Sequence, residues 1–242
     1  MEVPEEFILL TWTGVTDINQ ADWQLPKMVE AGFNTYLGWW GTIEDVEKLL
    51  TSADNAGIKI ITSCPELETD TKNAVERMTA HESFYGYHIE DEPEVSEFPI
   101  LADRIIKILK YDTEHPCYVN VYPNWAWGGE NGYLSKLRKF LKEVPVPFLS
   151  FDNYPIRNIG GDIVVRTDWY HNLEDIRTAA KEAKTALFSP VPCFFSFYAT
   201  MAAIQQKTAM LTTVRMLQTP VWLLRLRVLR LFPLHRLLLR HL

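Results

Sequence analysis

The chain has 242 residues, 47% of them hydrophobic, which is enough for one large domain or two small ones with a sizeable core. Its formal net charge of −7 excludes the basic surface that nonspecific nucleic-acid binding requires, so no nucleic-acid partner is expected. Cys64, Cys117 and Cys193 are odd in number and far apart, which excludes a zinc spacing or a disulfide framework and reads as buried or free thiols.

In chain order, short apolar runs alternate with amphipathic stretches up to about residue 185. The first run is Phe7–Trp12, followed by a helix pattern from Asp22 that places Leu25, Met28, Val29 and Phe33 on one side and stops at Gly32. Thr35–Trp40 precedes a helix over Ile43–Ala56, closed by Gly57. Ile58–Ser63 precedes a weaker helix over Thr71–His81. Phe84–Glu90 precedes Phe98–Tyr111, Cys117–Tyr122 precedes Tyr133–Lys142, and Phe148–Asp152 precedes Trp169–Lys184. Strands alternating with helices predict a parallel sheet with right-handed crossovers, either an open doubly wound sheet or a (β/α)₈ TIM barrel. The barrel is favoured. Thr11–Val15 carries only Gly14 where a phosphate loop would need several glycines, and polar or aromatic residues follow every strand instead of gathering at one switch point.

Strand parity then sorts the side chains. In the fourth strand Tyr85, Tyr87 and Ile89 are expected against the helices, with Gly86, His88, Glu90 and Glu92 toward the barrel axis. In the fifth, Val119 and Val121 face out and Tyr118, Asn120 and Tyr122 face in. In the sixth, Leu149 and Phe151 face out and Ser150, Asp152 and Tyr154 face in.

The stretch "GYHIEDEPE" (Gly86–Glu94) therefore ends a buried strand in a crowd of carboxyls at the barrel mouth, with Pro93 terminating it. Crowded carboxyls repel, and at least one is expected to keep its proton to a higher pH. A protonated carboxyl beside an ionised one suits general acid–base work on a glycosidic bond, and Glu92, Asp91 and Glu90 are the candidates. The plainer reading is a solvated acidic loop or a cap for the next helix. Trp12, Trp39, Trp40, Tyr122, Trp125, Trp127 and Tyr154 fall at or just past strand ends, where flat rings can pack on sugar faces. Asn120, Asn124, Asp152 and Asn153 would direct hydrogen bonds to hydroxyls.

The runs "GYHIEDEP", "FPILADRI", "HPCYVNVYPN", "FLSFDNYPI" and "WYHNLEDIR" together resemble the barrel of glycoside hydrolases of the retaining TIM-barrel clan, in particular bacterial β-galactosidase-like members, over about residues 5–185. The resemblance implies an acid/base glutamate after strand four, commonly in Asn-Glu-Pro. Asp91-Glu92-Pro93 matches that triplet and places the acid/base on Glu92, with aspartate where the clan's asparagine touches the sugar 2-hydroxyl. It implies an oligo- or polysaccharide substrate with β-linked sugars, and no cofactor and no metal. It also implies a nucleophilic glutamate after strand seven, expected near Phe194–Tyr198. The sequence has no acid after Glu182, so the family's second carboxylate is missing; Glu90 and Asp152 are the acids able to approach Glu92 instead.

The missing acid coincides with a break in composition. Residues 1–185 hold 17 Lys+Arg and 31 Asp+Glu, whereas residues 186–242 hold 7 Lys+Arg and no acid, and the last glycine is Gly161. The leucine- and arginine-rich tail can be read as a membrane-surface segment or a core helix pair. Its basic residues and Pro220 and Pro233 argue against a transmembrane segment. The favoured reading is a frameshift or wrongly joined gene near residue 185, because alanine–glutamine codons read one base out of frame give leucine–arginine. The expected fold is thus a (β/α)₈ barrel of the α/β class, incomplete after the sixth unit, over residues 1–185, with open strand edges beside strands one and six and an atypical tail over 186–242. The expected function is that of an impaired glycosidase. The alternatives are a non-catalytic carbohydrate-binding barrel and a metal enzyme using Glu66, Glu90, His88 and Asp152. The first residues lack the basic-then-apolar pattern of a secretory leader, so the chain as written is expected in the cytoplasm unless a leader is absent from it.

Overall fold

The structure, a computed structural model, describes residues 8–12, 14–127, 132–160, 162–187, 193–197 and 212–216. Six strands pair in parallel in chain order: β1 (Leu9–Trp12), β2 (Thr35–Trp39), β3 (Lys59–Ser63), β4 (Phe84–Asp91), β5 (Cys117–Val121) and β6 (Leu149–Asn153). Between them lie α1 (Ala21–Glu30), α2 (Ile43–Ala56), α3 (Glu66–Thr69), α4 (Thr71–Thr79), α5 (Phe98–Leu109) and α6 (Tyr133–Glu143). These strands, curled with helices between them, are the α/β half-barrel of an incomplete TIM barrel. After β6 a hairpin of β7 (Ile156–Ile159) and β8 (Asp162–Val165) precedes α7 (Asp168–Leu187).

Two further strands complete the ring. β9 (Cys193–Phe197) lies parallel on β6, and β10 (Thr212–Met216) runs antiparallel to both β9 and β1. The open edges expected beside strands one and six are therefore paired. The antiparallel direction of β10 means that it is not the eighth βα unit of a regular barrel. Residues 188–192, 198–211 and 217–242 of the tail lie outside the described residues. Among the described residues no helix is long and apolar enough to cross a membrane.

Local chemistry accounts for the elements. At α2 the Thr42 hydroxyl accepts the Asp45 N–H at 3.2 Å, and Gly57 ends the helix at φ 71°, a left-handed conformation open to glycine at little cost. Arg77 of α4 ties Glu44 and Glu47 of α2 together. The core has two parts. One lies between strands and helices and includes Tyr36, Leu49, Met78, Tyr87, Val119, Val121, Leu149 and Phe151. The other fills the barrel with Ile8, Leu10, Trp12, Leu37, Ile61, Tyr118 and Phe148, as a closed barrel demands.

β4 departs from simple parity twice. Its register on β3 shifts between the Phe84 and Gly86 pairings, and on β5 between His88 and Glu90. The first irregularity puts Tyr85 with the barrel interior, not the helix layer expected for it. The second leaves Ile89 and Glu90 both turned toward the helices, so the parity that sent Glu90 inward is corrected here. A Cβ on Gly86 would lie 2.5 Å from the Pro116 carbonyl oxygen, the atom that accepts the Tyr87 N–H at 2.9 Å. Gly86→Ala should therefore force β4 away from Pro116 and cost about 1–3 kcal/mol. Urea denaturation checks this, and an unchanged midpoint would refute the close approach.

Candidate active site

The carboxyl end of β4 is pinned by its neighbour. The Asp91 carboxylate accepts the Asn120 Nδ2–H of β5 at 3.0 Å, and the Glu92 N–H donates to the Asn120 carbonyl oxygen at 2.7 Å. Glu92 has φ 54°, the one positive value on a non-glycine residue among the described residues. That conformation costs on the order of 1–2 kcal/mol. Such strain concentrates where surrounding bonds hold a residue for a purpose.

Asp152, near the end of β6, is buried and receives three donors: Asn120 Nδ2–H at 3.2 Å, the Tyr154 hydroxyl and the Glu92 carboxyl. Burial raises all three acids, Asp91, Glu92 and Asp152, above their ordinary ranges. The Asp152 and Asp91 charges add to burial at Glu92 and push it up to about 8. The arrangement is thus a protonated Glu92 donating to an ionised Asp152. Behind it, Ser150 Oγ donates to Asn120 Oδ1 at 3.2 Å and lies 2.6 Å from the Tyr118 hydroxyl.

Glu90 stands apart. Its Oε2 accepts from Arg104 Nη1 at 3.2 Å, and Arg104 also pairs with Glu68 at 2.9 Å, so this carboxylate is spent on anchoring β4 to its helices. Glu66, Glu90, His88 and Asp152 do not converge, and no three His, Cys, Asp or Glu side chains gather to hold a metal among the described residues.

The aromatic candidates separate likewise. Trp39 is 51% exposed and stacks on His88, with centroids 5.3 Å apart and planes 20° apart. His88 is buried, which lowers it to about 4 and keeps it neutral, and its Nε2 has no partner among the described residues. Trp12 is buried in the barrel interior with its ring edge-on to His88. Tyr122 was expected to face the interior, but just past the end of β5 it packs against the strand–helix core and Trp127; burial first, and then the charges of Glu92, Glu94, Glu97 and Asp91, raise its hydroxyl. Trp125 is exposed, with the Arg166 guanidinium 4.9 Å from its ring centroid.

Three candidates serve the scaffold. Trp40 packs against the strand–helix core, opposite Trp39, because consecutive strand residues face opposite ways. Trp127 is fully buried against Phe98 and Tyr133. Asn124 is buried, donates to the Asp168 carbonyl oxygen at 3.1 Å and accepts the Trp125 N–H at 2.8 Å, while its own N–H reaches Asn172 Oδ1 at 2.7 Å. Asn153 donates to the same Asn172 oxygen at 3.0 Å. Asn172 and Arg166, which organise this side of the mouth, carry no signal in the sequence.

Glu92 links pH to stability. An unfolded glutamate ionises near 4.5, whereas folded Glu92 ionises at about 8. The stability that comes with its proton is complete below the lower value and is lost as pH rises through the higher one. Glu92→Gln cannot ionise, so its thermal midpoint minus that of the parent should grow from pH 5 to pH 9. Melting both proteins across that range checks this, and a constant difference would contradict the raised ionisation.

No protein-family model matches the chain, and no curated protein sequence matches it. Among solved structures, a Thermobacillus composti GH10 xylanase aligns with a TM-score of 0.44 and 12% identity over 84% of this chain and 73% of that chain.

Proposed function

We propose that the protein is a glycoside hydrolase-like barrel acting on O-glycosidic bonds of β-linked sugars, with Glu92 as the general acid. The observation that carries this reading is the gathering of Asp91, Glu92 and Asp152 around Asn120 at the carboxyl ends of parallel strands, where barrel enzymes assemble their sites. In this reading Glu92 passes its proton to the glycosidic oxygen as the bond from that oxygen to the anomeric carbon breaks; a water molecule bonds to the anomeric carbon in its place, and the proton that water releases restores the Glu92 carboxyl. Trp39 offers a half-exposed face for a sugar ring, and Tyr122, Tyr154 and Asn120 border the acids. Trp125 and Arg166 form a second exposed aromatic surface farther along the rim.

A retaining reaction also needs a nucleophilic carboxylate about 5–5.5 Å from the acid. Asp152 accepts directly from Glu92 and so does not flank a sugar with it, and no acid follows Glu182. Turnover is accordingly expected to be impaired and to favour substrates with good leaving groups. The same absence supports a second reading, a carbohydrate-binding barrel without catalysis.

Hydrolysis of aryl β-D-galactosides with good and poor leaving groups, paired with calorimetric sugar binding, tests both. The hydrolase reading expects Glu92→Gln to lower turnover of the poor-leaving-group substrate by roughly 10²–10⁴-fold while sugar affinity stays within a few-fold. Undiminished turnover would refute Glu92 as the acid. Binding without release at any pH would establish the second reading.

A further inference from the structure

Behind the candidate acid, three buried side chains are linked in series to its carboxyl neighbours. The Tyr118 hydroxyl, on β5, meets Ser150 Oγ of β6 at 2.6 Å; Ser150 Oγ donates to Asn120 Oδ1 at 3.2 Å; and Asn120 Nδ2 donates to Asp91 at 3.0 Å and to Asp152 at 3.2 Å. Tyr118 and Ser150 are completely buried, and Asn120 is 1% exposed. An amide has two ends of opposite character. Turned the other way, Asn120 would present its oxygen to two carboxyls and its Nδ2–H₂ to the Ser150 hydroxyl. Only the observed orientation gives both Asp91 and Asp152 a donor, and it is selected by a hydroxyl hydrogen directed at Oδ1. With Tyr118 donating to Ser150, the Ser150 hydrogen is free for that purpose.

We propose that Tyr118 and Ser150 are positioning residues that fix the Asn120 amide, so that its Nδ2 donates to Asp91 and Asp152 together and Glu92 remains the carboxyl that carries the proton. The functional meaning of this relay rests on reading Glu92 as the acid; its geometry does not. The titratable groups around it are Glu90 and Asp91 from β4, Glu92 just past it, Asp152 and Tyr154 from the β6 end, Tyr122 beyond β5 and Tyr133 of α6, with neutral His88 packed 6.2 Å from the Tyr118 ring. The charges acting on Asp91 are those of Asp152 and Glu90, and those on Glu92 are Asp152 and Asp91, all negative. Donation from Asn120 is therefore the bond that counters burial and charge at Asp91, and at Asp152 it acts in the same direction beside the larger contributions of Tyr154 and Glu92.

The test is a carboxyl-carbon NMR titration of the full chain labelled at aspartate and glutamate side chains, which needs no substrate. Ser150→Ala removes the selecting hydroxyl and should raise the midpoints of Asp91 and Asp152 by about 0.5–1 pH unit, roughly three- to tenfold in the ionisation constant. Ser150→Thr keeps an Oγ and should restore the parental midpoints. Tyr118→Phe should shift them in the same direction by less, because Ser150 keeps its hydrogen but loses its orientation. A folded Ser150→Ala protein with unmoved midpoints would overturn the proposal, as would an equal shift in Ser150→Thr. Should Ser150→Ala fail to fold, an unmoved titration in Tyr118→Phe overturns it instead. Shifted midpoints in a protein that neither cleaves nor binds glycosides would support the relay and remove the hydrolase reading, so the two failures are distinct.

Discussion

Parity gives each residue of a regular strand an inward or outward direction, and β4 loses that parity between His88 and Glu90. One residue passes without a partner on β5, so Ile89 and Glu90 fall on the helix side in succession and Asp91 arrives opposite Asn120. The placement of the three consecutive acids at the mouth follows from this slip. Glu90 is delivered to Arg104 and fastens the strand to α5 and α3. Asp91 is delivered to the Asn120 amide, and the backbone turns through a left-handed Glu92 whose N–H still bonds to β5. Without the slip, simple alternation would turn Glu90 inward toward Asp152, and Arg104 would keep Glu68 alone as its carboxylate partner.

The second constraint is electrostatic. Three carboxyls meet with their own and Glu90's negative charges around them, and burial weakens the water that would screen them. Such a group can be relieved by a cation, by donors or by a proton. Asn120 and Tyr154 supply donors to Asp152, Asn120 supplies one to Asp91, and Glu92 keeps a proton and gives it to Asp152 as a hydrogen bond. The stacked pair of Trp39 and neutral His88 adds no charge to this balance.

The βα alternation, the helix α2 with its glycine stop, and the crowding of acids at the end of β4 were all legible in the sequence, because periodicity, a closing glycine and Pro93 are local signals. The two irregularities in β4 were not. "FYGYHIED" alternates plausibly in either register, and the choice is made by contacts with Pro116, Arg104 and Asn120, which lie elsewhere in the chain. Trp39 and Trp40 look equivalent as letters, yet one faces the mouth and the other the helices. Asn124 has the chemistry of a sugar ligand, but the bonds that occupy it come from α7, some 45 residues away. The short helix α3 and the hairpin of β7 and β8 escaped because each is too short for periodicity to register.

The proton on Glu92 belongs to the folded state and not to the unfolded chain at neutral pH. Unfolding therefore ejects it into solution, and folding draws one in. The heat of unfolding at neutral pH consequently includes the heat with which the buffer takes up that proton. The same protein, with the same contacts, will absorb different heats in phosphate and in an amine buffer. That difference counts the net protons exchanged by the whole chain, and the part of it that vanishes in Glu92→Gln belongs to the mouth.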